Sequence, residues 1–153
     1  MVYLGLGSNQ GNRLALLEQA VALLAEQAGD IVSQSSVIET EPWGFTTEHL
    51  FLNMVVGMET TLSPTRLLNV TQRIERQLGR THKTSLQRPQ YADRPIDIDI
   101  LLYDNRVVQT SRLSIPHPLM LQREFVWRPL LEIAPEIRYP VTGQLIAEAV
   151  GCR

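Results

Sequence analysis

The chain has 153 residues, with 14 Lys and Arg against 16 Asp and Glu and a formal net charge of -2. Its 44% hydrophobic residues are typical of one globular domain, residues 1–153, and its single cysteine, Cys152, excludes an internal disulfide or a cysteine-based zinc site. No basic excess indicates a nucleic-acid partner and no stretch is typical of a signal peptide or a membrane span, so we expect a cytoplasmic protein.

The first half of the chain predicts the order strand, helix, strand, strand, helix. Short apolar runs predict three strands, at residues 2–6, 31–39 and 51–60. Segment 7–13 lacks the Lys-Ser/Thr of a P-loop, which favours a structural turn into the first helix, ending near Gly29. Ser63 and Pro64 provide an N-cap and a first-turn proline for the second helix, which Gly79 ends.

Two long polar segments follow the second strand and the second helix. Residues 40–49 contain Trp and Phe, and residues 80–94 contain five basic side chains if His82 is counted. Each segment is either a binding loop or a solvated surface loop. As binding loops, residues 41–50 and 80–93 are expected to be mobile and to close over bound substrates.

The segment that follows residue 94 combines an apolar strand pattern with two carboxylates. Strand alternation assigns two faces, Ile96, Ile98, Ile100 and Leu102 on one and Asp97, Asp99, Leu101 and Tyr103 on the other. Two Asp side chains at this spacing repel each other unless a cation lies between them, and carboxylate oxygens suit Mg²⁺. The alternative is a strand with a solvated acidic face.

The last third of the chain predicts a short strand and two helices. Asp104 begins a turn into a strand at residues 107–108, and the prolines of residues 112–118 stiffen a loop that carries Arg112 and His117. The two helices are expected at residues 123–135 and 144–150.

A set of motifs in a fixed order gives the chain a family resemblance. The motifs are Gly7-Ser8-Asn9, Thr40-Glu41-Pro42-Trp43-Gly44, Phe51-Leu52-Asn53, Gln72-Arg73-Ile74-Glu75, Gly79-Arg80, Arg94-Pro95-Ile96-Asp97-Ile98-Asp99-Ile100-Leu101, Ile115-Pro116-His117-Pro118 and Arg123-Xaa-Phe125. Together they resemble the 6-hydroxymethyl-7,8-dihydropterin pyrophosphokinases of folate biosynthesis over essentially the whole chain. The resemblance implies an α/β (α+β) fold, a ferredoxin-like βαββαβ sandwich with an additional C-terminal hairpin and helices.

The resemblance also implies an activity, its cofactors and its partners. The β,γ-diphosphoryl group of ATP would pass to the hydroxymethyl oxygen of the pterin with release of AMP. ATP is then a co-substrate, two Mg²⁺ ions are the cofactors, and the only partners are small molecules bound by a monomer. The resemblance implies no nucleic-acid or membrane partner.

Residue roles are carried over at the matching positions only. The implied metal ligands are Asp97 and Asp99, and the implied catalytic loop residues are Arg80 and Arg94. The implied nucleotide site consists of Gln72, Glu75, His82, Ile100, Arg112, Ser114, His117 and Arg123. The implied pterin site consists of Thr40, Pro42, Trp43, Phe51, Asn53 and Phe125.

The chain departs from the family pattern in the segment before the metal strand. Tyr91-Ala92-Asp93-Arg94 replaces the commoner Trp-Gly-Pro-Arg type, and His82 stands where a basic residue, often Arg, is usual. Two other readings remain open, a Mg-dependent phosphotransferase with another acceptor and a non-catalytic small-molecule-binding module on the same fold. Asp97, Asp99 and Arg94 argue against the module, because a binding protein has no transition-state charge to stabilise.

Overall fold

The computed structural model describes residues 1–40, 50–79 and 95–151. Its elements are β1 (Val2–Ser8), α1 (Arg13–Gln27), β2 (Asp30–Gln34), β3 (Ile38–Thr40), β4 (Phe51–Glu59), α2 (Pro64–Gln77), β5 (Asp97–Tyr103), β6 (Val108–Gln109), β7 (Ser114–Ile115), α3 (Glu124–Ile133) and α4 (Ile146–Ala149). None of the helices in those three ranges has the length and apolar content needed to cross a lipid bilayer.

Five strands form one antiparallel sheet in the order β2–β4–β1–β5, and β3 also pairs with β4. β2 pairs with the C-terminal part of β4 and β3 with its N-terminal end, so the two short strands share one edge. α1 lies between β1 and β2 in the chain, and α2 lies between β4 and β5. This mixed fold confirms the predicted α/β (α+β) class and is compatible with the ferredoxin-like βαββαβ order.

Each face of the sheet is covered by its own hydrophobic core. The core against α1 and α2 includes Leu4, Leu6, Leu17, Leu24, Met58, Leu67, Ile74, Ile98 and Ile100. The core on the opposite face, against α3 and α4, includes Val55, Leu101, Leu102, Met120, Trp127, Leu130 and Ile146. The central strands β1 and β4 contribute to both cores, so the two helical layers are coupled through the sheet.

The predicted strand at residues 31–39 is wrong as a single strand. β2 and β3 are separated at residues 35–37, where Ser35 N donates to Val55 O and Ser35 Oγ accepts from Val55 N, both at 2.9 Å. A side-chain oxygen therefore replaces a backbone acceptor at the break. Ser36 N and Oγ then donate to Glu132 Oε1 at 2.9 and 2.7 Å, which ties the break to α3.

The predicted alternation of β5 is correct up to Leu101 and wrong beyond it. The register with β1 shifts between Tyr3, opposite Leu102, and Leu4, opposite Ile100, so Leu101 is an extra residue. This bulge moves Leu102 into the α3 core and Tyr103 into the α1 and α2 core, the reverse of the predicted faces.

Local signals at the helix ends are partly confirmed. Ser63 Oγ accepts from Arg66 N at 3.3 Å and Gly79 has a φ of 108°, as predicted for α2. The predicted turn at residues 7–13 begins later, because Gly7 and Ser8 belong to β1. Gly29 directly follows Ala28, the C-cap of α1, as predicted. A Cβ there would lie 2.1 Å from Glu59 O, so this position also needs glycine for close backbone approach.

The predicted C-terminal hairpin is formed by β6 and β7. Its strands lie at Val108–Gln109 and Ser114–Ile115, with Val108 opposite Ile115. The prediction of a loop throughout residues 112–118 is therefore wrong at the two residues of β7.

Candidate active site

Asp97 and Asp99 lie on the sheet face opposite α1 and α2, beside two glycines of the neighbouring strand β1. In the β1–β5 register, Asp97 is opposite Gly7 and Asp99 is opposite Gly5. Both Asp residues are partly exposed, whereas Ile98 between them is buried in the core. The strand thus presents two carboxylates on one face of the sheet, as the sequence pattern predicts.

Burial and neighbouring negative charges both disfavour the ionised form of Asp99. Burial, followed by the charges of Asp97 and Glu75, raises the pKa of the Asp99 carboxyl well above its usual value, and Arg123 opposes the shift. A divalent cation between the two Asp side chains would offset these negative charges. Among the described residues there is no group of three or more His, Cys, Asp or Glu able to hold a metal. A cation held by Asp97 and Asp99 would have coordination positions left for water and phosphate, which suits Mg²⁺.

His117 faces the same carboxylates. Its Nε2 lies 4.0 Å from Asp99 Oδ2, and its backbone N donates to Leu101 O at 3.0 Å. Leu119 N donates to His117 Nδ1 at 3.2 Å, so the neutral imidazole carries its proton on Nε2, directed toward Asp99. Burial, then the charge of Arg123, lowers the pKa of His117, and Asp97 opposes the shift.

Arg123 and Phe125 meet at the start of α3. The Arg123 guanidinium lies 5.7 Å from the centroid of the Phe125 ring, within the range of a cation–π contact. Arg123 is only 6% exposed, and its charge acts on the pKa values of both Asp99 and His117. A buried cation is therefore part of the same site as the two carboxylates.

A polar pair lies two strands away on the same face. Asn53 of β4 is opposite Gly7 of β1, and Asn53 Nδ2 donates to Thr40 Oγ1 at 2.6 Å. Thr40 in turn pairs with Phe51 across β3 and β4. With adjacent strands about 4.8 Å apart, Asn53 lies roughly 10 Å from Asp97 across β1.

Arg112, between β6 and β7, forms hydrogen bonds with polar side chains of α2. Arg112 Nη2 donates to Asn69 Oδ1 at 2.8 Å and to Gln72 Oε1 at 3.3 Å. One α-helical turn further along α2, Glu75 is buried and its Oε2 accepts from Ile98 N at 2.8 Å. α2 thus connects the hairpin to the strand that carries Asp97 and Asp99.

Comparison with known proteins identifies the family. The family model described as 7,8-dihydro-6-hydroxymethylpterin-pyrophosphokinase (HPPK) matches residues 3–135. The chain belongs to this family. It is therefore an ATP-dependent diphosphotransferase, a pyrophosphokinase of folate biosynthesis, as the resemblance predicts.

Individual relatives agree with the family match. The chain is 49% identical over 136 residues to a 2-amino-4-hydroxy-6-hydroxymethyldihydropteridine pyrophosphokinase of Porphyromonas gingivalis, covering 88% of this chain and 91% of the relative. It is 42% identical over 144 residues to the Bacillus subtilis protein of the same name, covering 94% and 83%.

Solved structures support the fold. A crystal structure of Plasmodium falciparum HPPK-DHPS superposes with a TM-score of 0.77 and 16% identity, covering 99% of this chain and 42% of that chain. At this identity the likeness shows the fold alone. The pyrophosphokinase chain thus spans about two fifths of the length of that solved chain.

The pyrophosphokinase structure brings together most of the predicted site residues that it describes. On the carboxylate face or against it lie Asp97, Asp99, His117, Arg123, Phe125, Thr40, Phe51 and Asn53. Gln72 and Arg112 are hydrogen-bonded to each other, while Ser114 Oγ contacts Gln109 Oε1 at 3.5 Å within the hairpin. The predicted residues Pro42, Trp43, Arg80, His82 and Arg94, and the segments 41–49 and 80–94, lie outside the described residues.

Ile100 differs from the other predicted nucleotide residues. Its side chain is 4% exposed and packs in the core against α1 and α2. A nucleotide contact from this position would therefore come from its backbone, and the predicted contact stays a prediction.

The sequence did not predict two contacts beside Asn53 and Thr40, made by Gly7 and Arg13. Gly7 was assigned to a turn, but a Cβ there would lie 2.9 Å from Asn53 Oδ1, so its absence makes room for the Asn53 side chain. Arg13 Nη1 donates to Glu39 Oε2 at 2.9 Å and to Leu50 O at 2.8 Å, tying together the ends of β3 and β4 beside Thr40. Neither contact has a local sequence signal, because each joins residues more than 25 positions apart.

A separate depression of about 580 Å³ lies at the other end of the sheet. It is lined by Met1, Val2, Ala28, Gly29, Asp30, Glu59, Thr60, Thr61, Tyr103 and Asp104. Tyr103 ends β5, four residues or roughly 13 Å from Asp99. The charged groups of the predicted site converge at the carboxylate face and not in this depression.

Proposed function

We propose that the protein transfers the β,γ-diphosphoryl group of ATP to the hydroxymethyl oxygen of 6-hydroxymethyl-7,8-dihydropterin. The observation that carries this proposal is the placement of two polar groups on one sheet face. Asp97 and Asp99 provide a cation site, and the hydrogen-bonded pair of Thr40 and Asn53 lies roughly 10 Å away across Gly7. A pterin held at the polar pair could present its hydroxymethyl group toward phosphates held at the carboxylates.

Asp97 and Asp99 would hold two Mg²⁺ ions. When bound there, Mg²⁺ would supply the positive charge that neutralises the phosphates of ATP. The donor set supports this, because two carboxylates leave coordination positions for phosphate, and because a cation would offset the burial and the neighbouring charges that raise the pKa of Asp99.

In the proposed step the pterin hydroxymethyl oxygen attacks the β-phosphorus. A new oxygen–phosphorus bond forms, the bond from the β-phosphorus to the α,β-bridging oxygen breaks, and that oxygen leaves with AMP. The hydroxyl proton is released, and no side chain is required as a strong base, since a loose phosphoryl transition state depends mainly on alignment and electrostatics.

The nearby cations and donors would align the phosphates. His117 can donate from Nε2 beside Asp99, and Arg123 brings a buried positive charge to the same place. We propose that Arg112 and Gln72 contact the nucleotide together, since they share a hydrogen bond at 3.3 Å. The roles of Arg80 and Arg94 on the diphosphoryl group rest on the family resemblance.

The remaining assignments are part of the same proposal. Glu75, His82, Ile100 and Ser114 would line the nucleotide site, and Pro42, Trp43, Phe51 and Phe125 would line the pterin site. Residues 1–153 would form a single domain acting as a monomer in the cytoplasm, with no nucleic-acid or membrane partner.

The nucleotide product tests the proposal. The protein should be incubated with ATP, Mg²⁺ and 6-hydroxymethyl-7,8-dihydropterin, and the products quantified by chromatography and ³¹P NMR. The proposal predicts AMP and a pterin diphosphate in equal amounts. ADP would show transfer of a single phosphoryl group, and folded protein without pterin-dependent nucleotide turnover would favour a binding module.

A further inference from the structure

The outer edge of β5 is closed by a side chain of α2. β5 pairs with β1 along one edge, and within the described ranges no strand of the main sheet pairs with its other edge. At that outer edge Ile98 N donates to Glu75 Oε2 at 2.8 Å. Both residues are buried, Glu75 with 7% and Ile98 with 5% of its surface exposed. The contact therefore lies inside the protein, at the residue between Asp97 and Asp99.

This contact fixes the strand from the side that β1 does not reach. Alternate amides of a strand point to opposite edges, so the amides on either side of Ile98 point toward β1. There, Asp97 is opposite Gly7 and Asp99 is opposite Gly5. Segment 97–99 is thus held by the β1 ladder on one edge and by the Glu75 carboxylate on the other.

A carboxylate is a strong acceptor for this purpose. Hydrogen bonds to an ionised group are shorter and roughly twice as strong as neutral ones. Without Glu75 the buried Ile98 N–H would lose this acceptor, and the strand edge would have to shift to find another. Since the backbones of Asp97 and Asp99 flank Ile98, such a shift would change the separation and orientation of the two carboxylates.

We infer that Glu75 is a positioning residue that sets the geometry of Asp97 and Asp99 through the Ile98 amide, and thereby the affinity of the site for a divalent cation. This role is distinct from the nucleotide contact that the family resemblance implies for Glu75. It rests on the proposed function in one respect, that the cation held by Asp97 and Asp99 serves diphosphoryl transfer.

Binding of Mn²⁺, followed by the electron paramagnetic resonance signal of the free ion, tests the role without turnover. The two variants to compare are Glu75→Gln and Glu75→Leu, because both are uncharged and only Gln keeps an acceptor for Ile98 N. We expect the Leu variant to bind Mn²⁺ about 10- to 100-fold more weakly than the Gln variant, the range typical of residues that orient metal ligands.

Glu132 provides a matched control. Its carboxylate also accepts a backbone amide, Ser36 N at 2.9 Å, but it lies on α3 and ties down the break between β2 and β3. Glu132→Gln and Glu132→Leu should bind Mn²⁺ equally.

Equal Mn²⁺ affinity of Glu75→Gln and Glu75→Leu would overturn the inference, even if both bound more weakly than the wild type, because the effect would then come from charge. Unchanged Mn²⁺ binding with a raised KM for ATP in both variants would also overturn it, in favour of a nucleotide contact. If the Leu variant does not fold, hydrogen exchange decides: Ile98 N–H must be protected in the wild type and in Glu75→Gln, and rapid exchange there contradicts the role. If Glu75→Leu binds Mn²⁺ more weakly than Glu75→Gln, as expected, but the wild type forms no AMP, the proposed function is overturned and the role of Glu75 is supported.

Discussion

At Gly7 the absence of a Cβ decides where the Asn53 side chain lies. Gly7 and Gly5 of β1 lie opposite Asp97 and Asp99, and they differ in what an added Cβ would contact. A Cβ at Gly7 would lie 2.9 Å from Asn53 Oδ1, whereas a Cβ at Gly5 would lie 3.5 Å from the Leu101 side chain, an ordinary contact. Gly7 therefore affects the hydrogen-bonded pair of Thr40 and Asn53, and Gly5 does not.

This difference predicts unequal effects of adding one methyl group. Gly7→Ala should displace Asn53 and weaken binding of the pterin by about 10- to 100-fold, the cost of one lost hydrogen bond to a buried group. Gly5→Ala should change pterin affinity by less than about threefold. Isothermal titration of each variant with the pterin measures both values, and equal affinities would show that Gly7 does not position Asn53.

At the scale of the elements, α2 could be predicted closely and β5 only in part. The start and end of α2 depend on Ser63, Pro64 and Gly79, whose effects are local and visible in the sequence. The bulge at Leu101 depends on how β5 pairs with Tyr3 and Leu4, nearly 100 residues earlier in the chain. No local pattern in β5 records that pairing.

The edge of the sheet also depends on a contact between distant residues, which local sequence patterns do not predict. The break between β2 and β3 depends on Ser35, whose side chain bonds to Val55 on the neighbouring strand. The two carboxylates of the site were found because they lie on one short strand. The contact of Glu75 with Ile98 joins two elements, and it became visible only in the structure.

α3 supports the carboxylate face by filling the core beside it. Leu130 of α3 is fully buried in the core with Val55 and Leu101. Leu130→Ala should lower the free energy of unfolding by about 2–5 kcal/mol through lost burial and a residual cavity. Leu14→Ala is the control, since Leu14 is 49% exposed and its loss should cost about 0.5 kcal/mol or less. Urea unfolding measures both, and similar values would contradict the placement of α3.

At the scale of the whole molecule, one sheet separates two cores and contributes side chains to both. β1 and β4 pack against α1 and α2 on one face and against α3 on the other. Unfolding of either core would remove support from the strands that the other core needs. We therefore expect residues 1–153 to unfold in one cooperative transition.

Two spectroscopic signals can follow the unfolding of the two cores independently. Trp127 lies in the α3 core, and α1 and α2 supply most of the helical circular dichroism. In a Trp43→Phe background Trp127 is the only tryptophan. Its fluorescence and the far-ultraviolet circular dichroism should give the same urea midpoint, and two distinct midpoints would show that the layers unfold separately.

We propose that Asp97 and Asp99 hold the cation that serves diphosphoryl transfer. The most direct measurement is the rate of AMP formation at saturating Mg²⁺, ATP and pterin by the wild type, Asp97→Asn and Asp99→Asn, with Asp30→Asn as the control at the far end of the sheet. Each active-site variant should be slower by about 1,000-fold, or about 4 kcal/mol in activation free energy, with an unchanged circular dichroism spectrum, and Asp30→Asn should match the wild type. A rate for either Asp variant within about threefold of the wild type would contradict a catalytic cation site at Asp97 and Asp99.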